Sequence, residues 1–352
     1  MSAIASSPSL YQNWQALRQT QPMLRARDAA AALDVSEAEL VASRLGIDTV
    51  RLQPNWRDLL PALEPLGRIM ALTRNQHCVH ERKGVYRETT IGGGGQMGLV
   101  VSPDIDLRLF LSGWASVFAV SEQTSRGVLR SLQVFDRQGV AVHKVYLTDE
   151  SDLDAWAEVI ERFVEPDQSN KLDLMPRPAA PIARADADID VQSLRQGWAE
   201  LKDTHHFFAL LKGHGVQRTQ ALRLAGREWA ERLSLTELPL LFEGAASTQM
   251  PIMVFVGNRH CIQIHTGAVN NLRWMNDWFN VLDPDFSLHL DTRGVAELWR
   301  VRKPSSDGVI TSLEAFDANG ELVVQLFGAR KPGLPERDDW RALAEAPPAL
   351  DV

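Results

Sequence analysis

From residue 11 to residue 66 the apolar positions recur at helical spacing. In LRARDAAAALDVSEAELVASRLG, Leu33, Leu40, Val41 and Leu45 share a face. Asn55 offers a cap for a further helix over WRDLLPALEPLG, with Pro54 ahead of it and Pro61 interrupting it. From 67 to 147 the period shortens to that of strands. RIMALTRN and CVHERKGVYRE lead to a glycine run at 92–95. Then come MGLVV, IDLRLF, WASVFAVSE, GVLRSLQVFD and GVAVHKVYL. Short segments divided by turn residues predict an antiparallel meander. The stretch ESDLDAWAEVIERF returns to helix, with Trp156, Ile160 and Phe163 on one face.

A linker follows at 169–188, where Pro176, Pro178 and Pro181 stand among Ser, Asp and Ala. It separates an N-terminal part, 1–168, from a C-terminal part, 189–352. The second part repeats the order of the first. Helices are predicted from about Val191 to Phe242, then strands over IMVFVGN, HCIQIHTG, LRWMNDWF, FSLHLD, VAELWRVRK, VITSLEAFD and ELVVQLFG, and a short polar tail around Trp340. The residues repeat as well. Asn75, His77 and Cys78 match Asn258, His260 and Cys261, while SLQVFDRQG matches SLEAFDANG. The chain is therefore a duplication. It reads as an α+β protein of two tandem repeats, each a helical segment followed by a large antiparallel β-sheet, with a pseudo-twofold and clefts as the natural arrangement.

Duplication separates shared residues from singular ones. His77-Cys78 and His260-Cys261 recur on β segments in both halves, which marks them as structural. In IDLRLF, strand alternation sends Ile105, Leu107 and Leu109 one way and Asp106, Arg108 and Phe110 the other. The matched FSLHLD has His289 where the first copy has Arg108. DTHHFFALLKGHG, residues 203–215, reads as a short helix that Asp203 or Thr204 caps and Gly213 or Gly215 ends. At about 100° per residue, Phe207, Leu210, Leu211 and His214 form its core face. His205 falls nearly opposite, beside Ala209 and Lys212, with Phe208 on the flank. No histidine matches it near Asp28 to Ala32. On the residues alone, His205 is either a solvated histidine or a ligand for a metal, since the first turn of a helix favours neutral imidazole.

Composition narrows the classes. A net charge of −8 argues against broad nucleic-acid binding. Two distant cysteines and no CxxC exclude a disulfide framework, a zinc ribbon and covalent haem attachment. MSAIASSPSL lacks the pattern of a signal peptide, and no apolar run reaches the length of a membrane span, so no membrane insertion and a cytoplasmic location are expected. Gly92 to Gly95 is not a phosphate loop, because GxxxxGK[ST] is absent; GxSxG and HExxH are absent too.

The segments LRLFLSGW, DTHHFFALLKGHGV, IMVFVGNRHCIQIHTG, FSLHL, ELWRVRKP and DGVITSLEAFD resemble the bacterial haemin-degrading and haem-trafficking family, over nearly the whole chain. The resemblance implies one haem b (iron protoporphyrin IX) in a cleft at the C-terminal half. It implies His205 as the axial iron ligand and Arg108 over the other haem face, the pair that would serve any catalysis. Rim and propionate contacts carry over to Arg218, Phe255, Lys303, Gln325 and Arg330; Phe327 stands where relatives often have tyrosine. Haem needs an apolar slot, an iron ligand and cations for two carboxylates, and these residue types supply them. Without the resemblance each of those cations reads as a solvated surface charge. Tandem His206 and nearby His214 are alternative or transfer ligands, or His214 simply caps carbonyls. Two functions are implied: haem oxygenase-like degradation that releases iron and needs an electron donor, or delivery of intact haem, received after import, to a haem oxygenase. A haem importer and a haem oxygenase are the expected partners.

Overall fold

The computed structural model describes residues 9–22, 24–179, 182–331 and 333–351. Residues 1–8 and Pro181, used in the readings of the N-terminus and linker, lie outside them. The chain divides into two compact units: Met1–Leu72, Lys83–Pro178 and Asn258–Cys261 form the first, and Thr73–Arg82, Ala179–Gly257 and Ile262–Val352 the second.

In the first unit, helices α1 (Leu10–Thr20), α2 (Ala26–Ala32) and α3 (Glu37–Ala42) precede strand β1 (Thr49–Leu52). Ser36 and Glu39 close a capping box that starts α3. After α4 (Trp56–Leu59) come the strands β2 (Gly67–Arg74), β3 (Cys78–Val85), β4 (Thr89–Gly92), β5 (Met97–Val101), β6 (Asp106–Phe110), β7 (Trp114–Thr124), β8 (Gly127–Asp136) and β9 (Ala141–Ser151), then α5 (Leu153–Phe163). Strands β1, β7, β8, β9 and β2 lie side by side, and β4, β5 and β6 form a separate run. Helix α5 buries Trp156, Val159 and Phe163 in the core of this unit, with Ile160 partly covered. Ile105, Leu107 and Leu109 are fully buried, as their alternation predicts.

The second unit follows the same plan. Helices α6 (Val191–Ala199), α7 (Phe207–His214) and α8 (Arg218–Ala225) precede β10 (Ala230–Leu233) and α9 (Glu237–Ser247). Then come β11 (Ile252–Asn258), β12 (Cys261–Gly267), β13 (Leu272–Met275), β14 (Trp278–Leu282), β15 (Phe286–Asp291), β16 (Glu297–Ser305), β17 (Gly308–Phe316) and β18 (Leu322–Gly328), closed by α10 (Asp338–Glu345). Strand order is β10, β16, β17, β18, β11, β12. One side of β17 puts Leu313 and Ala315 into a core with α9 and α10; the other turns Phe316 toward α6, α7 and α8.

Several segments differ from the sequence reading, among them LRWMNDWF, which is not one strand but the hairpin of β13 and β14. Thr49–Leu52 and Ala230–Leu233 are strands inside stretches predicted helical. Each is four residues long, too short to show a period, and AERL favours helix until pairing with β16 overrides it. The tail around Trp340 is the amphipathic helix α10, with its indole fully buried and donating to Thr311 O at 3.0 Å.

The repeated Asn-x-His-Cys segment is structural. Asn75 Oδ1 accepts from His77 N at 3.0 Å, and Asn258 Oδ1 from His260 N at 3.0 Å. Their amides donate to Val323 O at 2.7 Å and Val142 O at 2.8 Å, carbonyls 181 positions apart (323 − 142). Cys78 and Cys261 are both fully buried.

His265 is buried, its ring stacked on Phe286 at 3.8 Å. Burial, then the nearby Arg82, pushes it down to about 4. A depressed histidine contributes stability above its unfolded pKa and loses it as pH falls. Between pH 7 and pH 5, about 2 kcal/mol disappears through this group alone. Urea midpoints at the two pH values should diverge accordingly, and a His265→Gln protein should narrow the gap; equal gaps would contradict it.

Candidate functional site

Asp203 sets the local chemistry. Its extended backbone starts the turn over Thr204–His206, and its carboxylate accepts from His205 N at 2.8 Å. The same oxygen lies 2.6 Å from His205 Nδ1. Hydrogen bonding from the His205 backbone holds Asp203 below the usual carboxylate range, with burial opposing. In a neutral imidazole whose Nδ1 proton faces this carboxylate, Nε2 is the nitrogen with the free lone pair. The imidazole side chain is 86% exposed, so that lone pair faces outward. A carboxylate behind a histidine is the usual support for a metal ligand. Phe208, three residues on, is 75% exposed beside exposed Ala209. An outward apolar ring next to a free imidazole nitrogen fits a flat ligand with a metal at its centre.

The predicted helix is thus a tight turn followed by α7, which ends on Gly215 in left-handed conformation (φ 62°). Phe207 and Leu211 are buried, and Phe207 meets Trp198 edge-on at 4.6 Å. Gly197 permits this approach of α6: a Cβ there would fall 2.6 Å from Leu210 Cδ1. His206 is exposed, and His214 is half-buried with its carbonyl accepting from Arg184 at 3.1 Å.

Beneath Phe207 lies a buried polar cluster. Arg218 grips Glu314 through two bonds, Nε at 2.7 Å and Nη2 at 2.8 Å. Lys303 Nζ donates at 2.6 Å, Gln325 Nε2 at 2.8 Å and Ser312 Oγ at 2.9 Å, all to Oε1. Both cations also lie against the Phe207 ring, Lys303 at 4.7 Å and Arg218 at 5.3 Å. Burial would raise the Glu314 carboxyl, but Arg218 and then Lys303 hold it well below its ordinary range. Burial pushes Lys303 down to about 8, Glu314 opposing. Lys303 is 3% exposed, and Arg218, 29% exposed, is held on the fully buried Glu314, so neither cation is a free surface charge. Two cations share one carboxylate, which leaves this cluster net positive.

Further along the same sheet, Phe255 pairs across the strands with Gln325 and meets Phe327 edge-on at 5.1 Å. Both rings are half-buried. Arg330 Nη2 bonds Asp307 at 2.8 Å, while among the described residues its buried Nε has no partner. The second unit therefore brings Arg218, Lys303 and Gln325 together on Glu314, and Phe255 and Phe327 together beside Gln325. The sequence offered Asp203 only as a helix cap, and Glu314 was missed. Glu314 had a signal: it replaces Gln133 of the matched SLQVFD.

In the first unit, Arg108 lies on β6, ion-paired to Asp106, its side chain one-third exposed. Leu99 is its register partner, and Met97 pairs with Phe110 on the same face. Met97, Leu99 and Val101 are all exposed, so the guanidinium is set in an apolar surface.

A family model described as the haemin-degrading HemS.ChuX domain matches residues 34–163 and again 215–346. The hemin transport protein HmuS of Yersinia pestis is 42% identical over 336 residues, covering 95% of each chain. Among solved structures, holo-PhuS, a heme-binding protein from Pseudomonas aeruginosa, is 68% identical with a TM-score of 0.96, covering 97% of this chain and 99% of its own. The heme degrading enzyme ChuS of Escherichia coli O157:H7 is 39% identical with a TM-score of 0.89, covering 95% and 97%.

Proposed function

Because the chain belongs to the haemin-degrading HemS/ChuX-domain family, we propose that it binds one haem b through His205 Nε2 and opens the ring to release iron, in the cytoplasm. The observation that carries this reading is the outward imidazole whose Nδ1 is engaged by Asp203. Holo-PhuS and ChuS, by their names, bind and degrade haem, and that supports the choice of ligand. Among the described residues no helix is long and apolar enough to cross a membrane.

When bound, haem would supply the iron chemistry with oxygen, given an electron donor. The protein's share is positioning. Asp203 fixes the tautomer and orientation of His205. Phe208, Phe255 and Phe327 offer apolar contact to the ring. The positive cluster of Arg218 and Lys303, with Arg330, draws the propionates. Arg108 is assigned to the distal side on the family resemblance, supported by its apolar setting. An Arg108→Ala protein should keep its affinity within a few-fold and lose turnover.

Asp203→Ala removes the support behind the ligand. Haem affinity should fall about 10–100-fold, read by titration at the Soret maximum; unchanged affinity would show that Asp203 orients nothing.

A second reading is a carrier that hands intact haem to a haem oxygenase. The exposed His206 beside His205 favours it, as a ligand able to take over during transfer. Haem-loaded protein incubated with a reductant and catalase decides between them. Loss of the Soret band with an open-chain product of defined mass supports the enzyme. A stable spectrum supports the carrier.

A further inference from the structure

The two copies differ as a set at the positions around Glu314. The offset of 181 that aligns α3 with α8 (218 − 37) also aligns the start of β9 with that of β18 (322 − 141). At that offset Arg218, Lys303, Glu314 and Gln325 fall on Glu37, Glu122, Gln133 and Lys144. His205 and Phe207 fall on Leu24 and Ala26, so the counterpart of His205 lies ahead of the stretch from Asp28 to Ala32. In the second copy the four positions hold two cations and one carboxylate, a net charge of one positive. In the first they hold two carboxylates and one cation, one negative. The copy with the imidazole turn is the one that attracts an anion, and its own carboxylate limits the excess to a single charge.

Glu314 uses its oxygens unequally. Oε1 accepts from Lys303, Gln325, Ser312 and Arg218 Nη2, while Oε2 takes Arg218 Nε. The carboxylate is fully buried and Arg218 is partly exposed, so the inner edge of the guanidinium is committed to the protein. Its Nη1 makes no bond among the described residues. A planar fork held along one edge presents its other edge in a fixed direction. The Phe207 ring lies against both cations, two residues after His205, which ties this cluster to the turn that carries the imidazole. Arg330, the other cation assigned to the propionates, is already paired with Asp307.

We propose that Glu314 is a positioning residue that makes this site read one carboxylate of its ligand: it aims the outer edge of Arg218 and cancels one of the two cations, so a single ionised side chain of the macrocycle completes the charge. The inference rests on the haem reading and adds which ring systems the site prefers. One free carboxylate is required, and a second adds little.

The full chain, haem-free, is titrated at the Soret maximum with haemin, its monomethyl ester and its dimethyl ester, all in the same detergent. Esterification keeps the iron and the ring and removes charge. The monoester should bind within about threefold of haemin, and the diester roughly tenfold to a hundredfold more weakly, the loss of a charge-assisted contact. In Glu314→Gln the amide keeps Oε1 and its donors only by turning its NH2 onto Arg218 Nε. Lys303, at about 8 even beside Glu314, then sheds its proton, so direction is lost at unchanged net charge. Haemin should then exceed the diester by about threefold or less, with the diester itself within about twofold of its wild-type affinity. Arg218→Lys, which keeps the cation and lacks the fork, should behave the same way and carries the test if Glu314→Gln fails to fold. A merely structural role would weaken all three ligands alike and preserve their ratios. That result, a diester as tight as haemin on the wild type, or a monoester as weak as the diester, would each overturn the inference and leave the haem reading standing. No Soret change with any of the three would sink both.

Discussion

A His205→Ala protein titrated with haemin will bind it more than a hundredfold more weakly and show a Soret band shifted from that of the wild type. Removing the second-layer partner of a metal ligand costs about 10–100-fold, and removing the ligand itself costs more. The substitution should leave folding intact, because the side chain is 86% exposed and contributes no core packing. A thermal melt within a degree or two of wild type would separate lost ligation from lost structure. His206 and His214 are the groups that could mask the effect. His206 is one position along the turn and exposed, and it lacks the carboxylate that Asp203 gives His205. A triple substitution removing all three imidazoles distinguishes substitute ligation from no ligation at all. An unchanged Soret band in His205→Ala and in the triple variant would refute histidine ligation from this turn.

Replacing Glu314 with glutamine is expected to cost about 3–5 kcal/mol, the range for breaking a buried ion pair from one side. The carboxylate accepts from four side chains, and two of those are cations that would then face each other without a counter-charge. Lys303, held at about 8, can shed its proton and recover part of the loss. The double variant Glu314→Gln/Lys303→Met should therefore be more stable than Glu314→Gln alone. Urea denaturation of the three proteins measures this. A loss under about 1 kcal/mol for the single change would mean that the cluster behaves as a surface pair.

Much of this was legible in the residues. The duplication was readable from Asn-x-His-Cys and from SLQVFD against SLEAFD, because those stretches have structural duties in both copies. Alternation correctly buried Ile105, Leu107 and Leu109. Short strands escaped, since four residues carry no period and AERL looks helical until β16 supplies its hydrogen bonds. The pairing of Arg218 and Lys303 on one carboxylate also escaped. Their partner is 96 positions from one and 11 from the other; the packing of helix α8 closes the first separation and the pairing of β16 with β17 the second. Asp203 was seen as a helix cap; that it would also seize His205 Nδ1 depends on the tight turn that replaces the first turn of helix.

A crystal structure of the haem complex tests the central claim most directly. The iron should be bonded to Nε2 of His205, with Nδ1 still within hydrogen-bond reach of Asp203. Iron carried by any other side chain, or haem held with His205 turned away from it, would contradict the assignment.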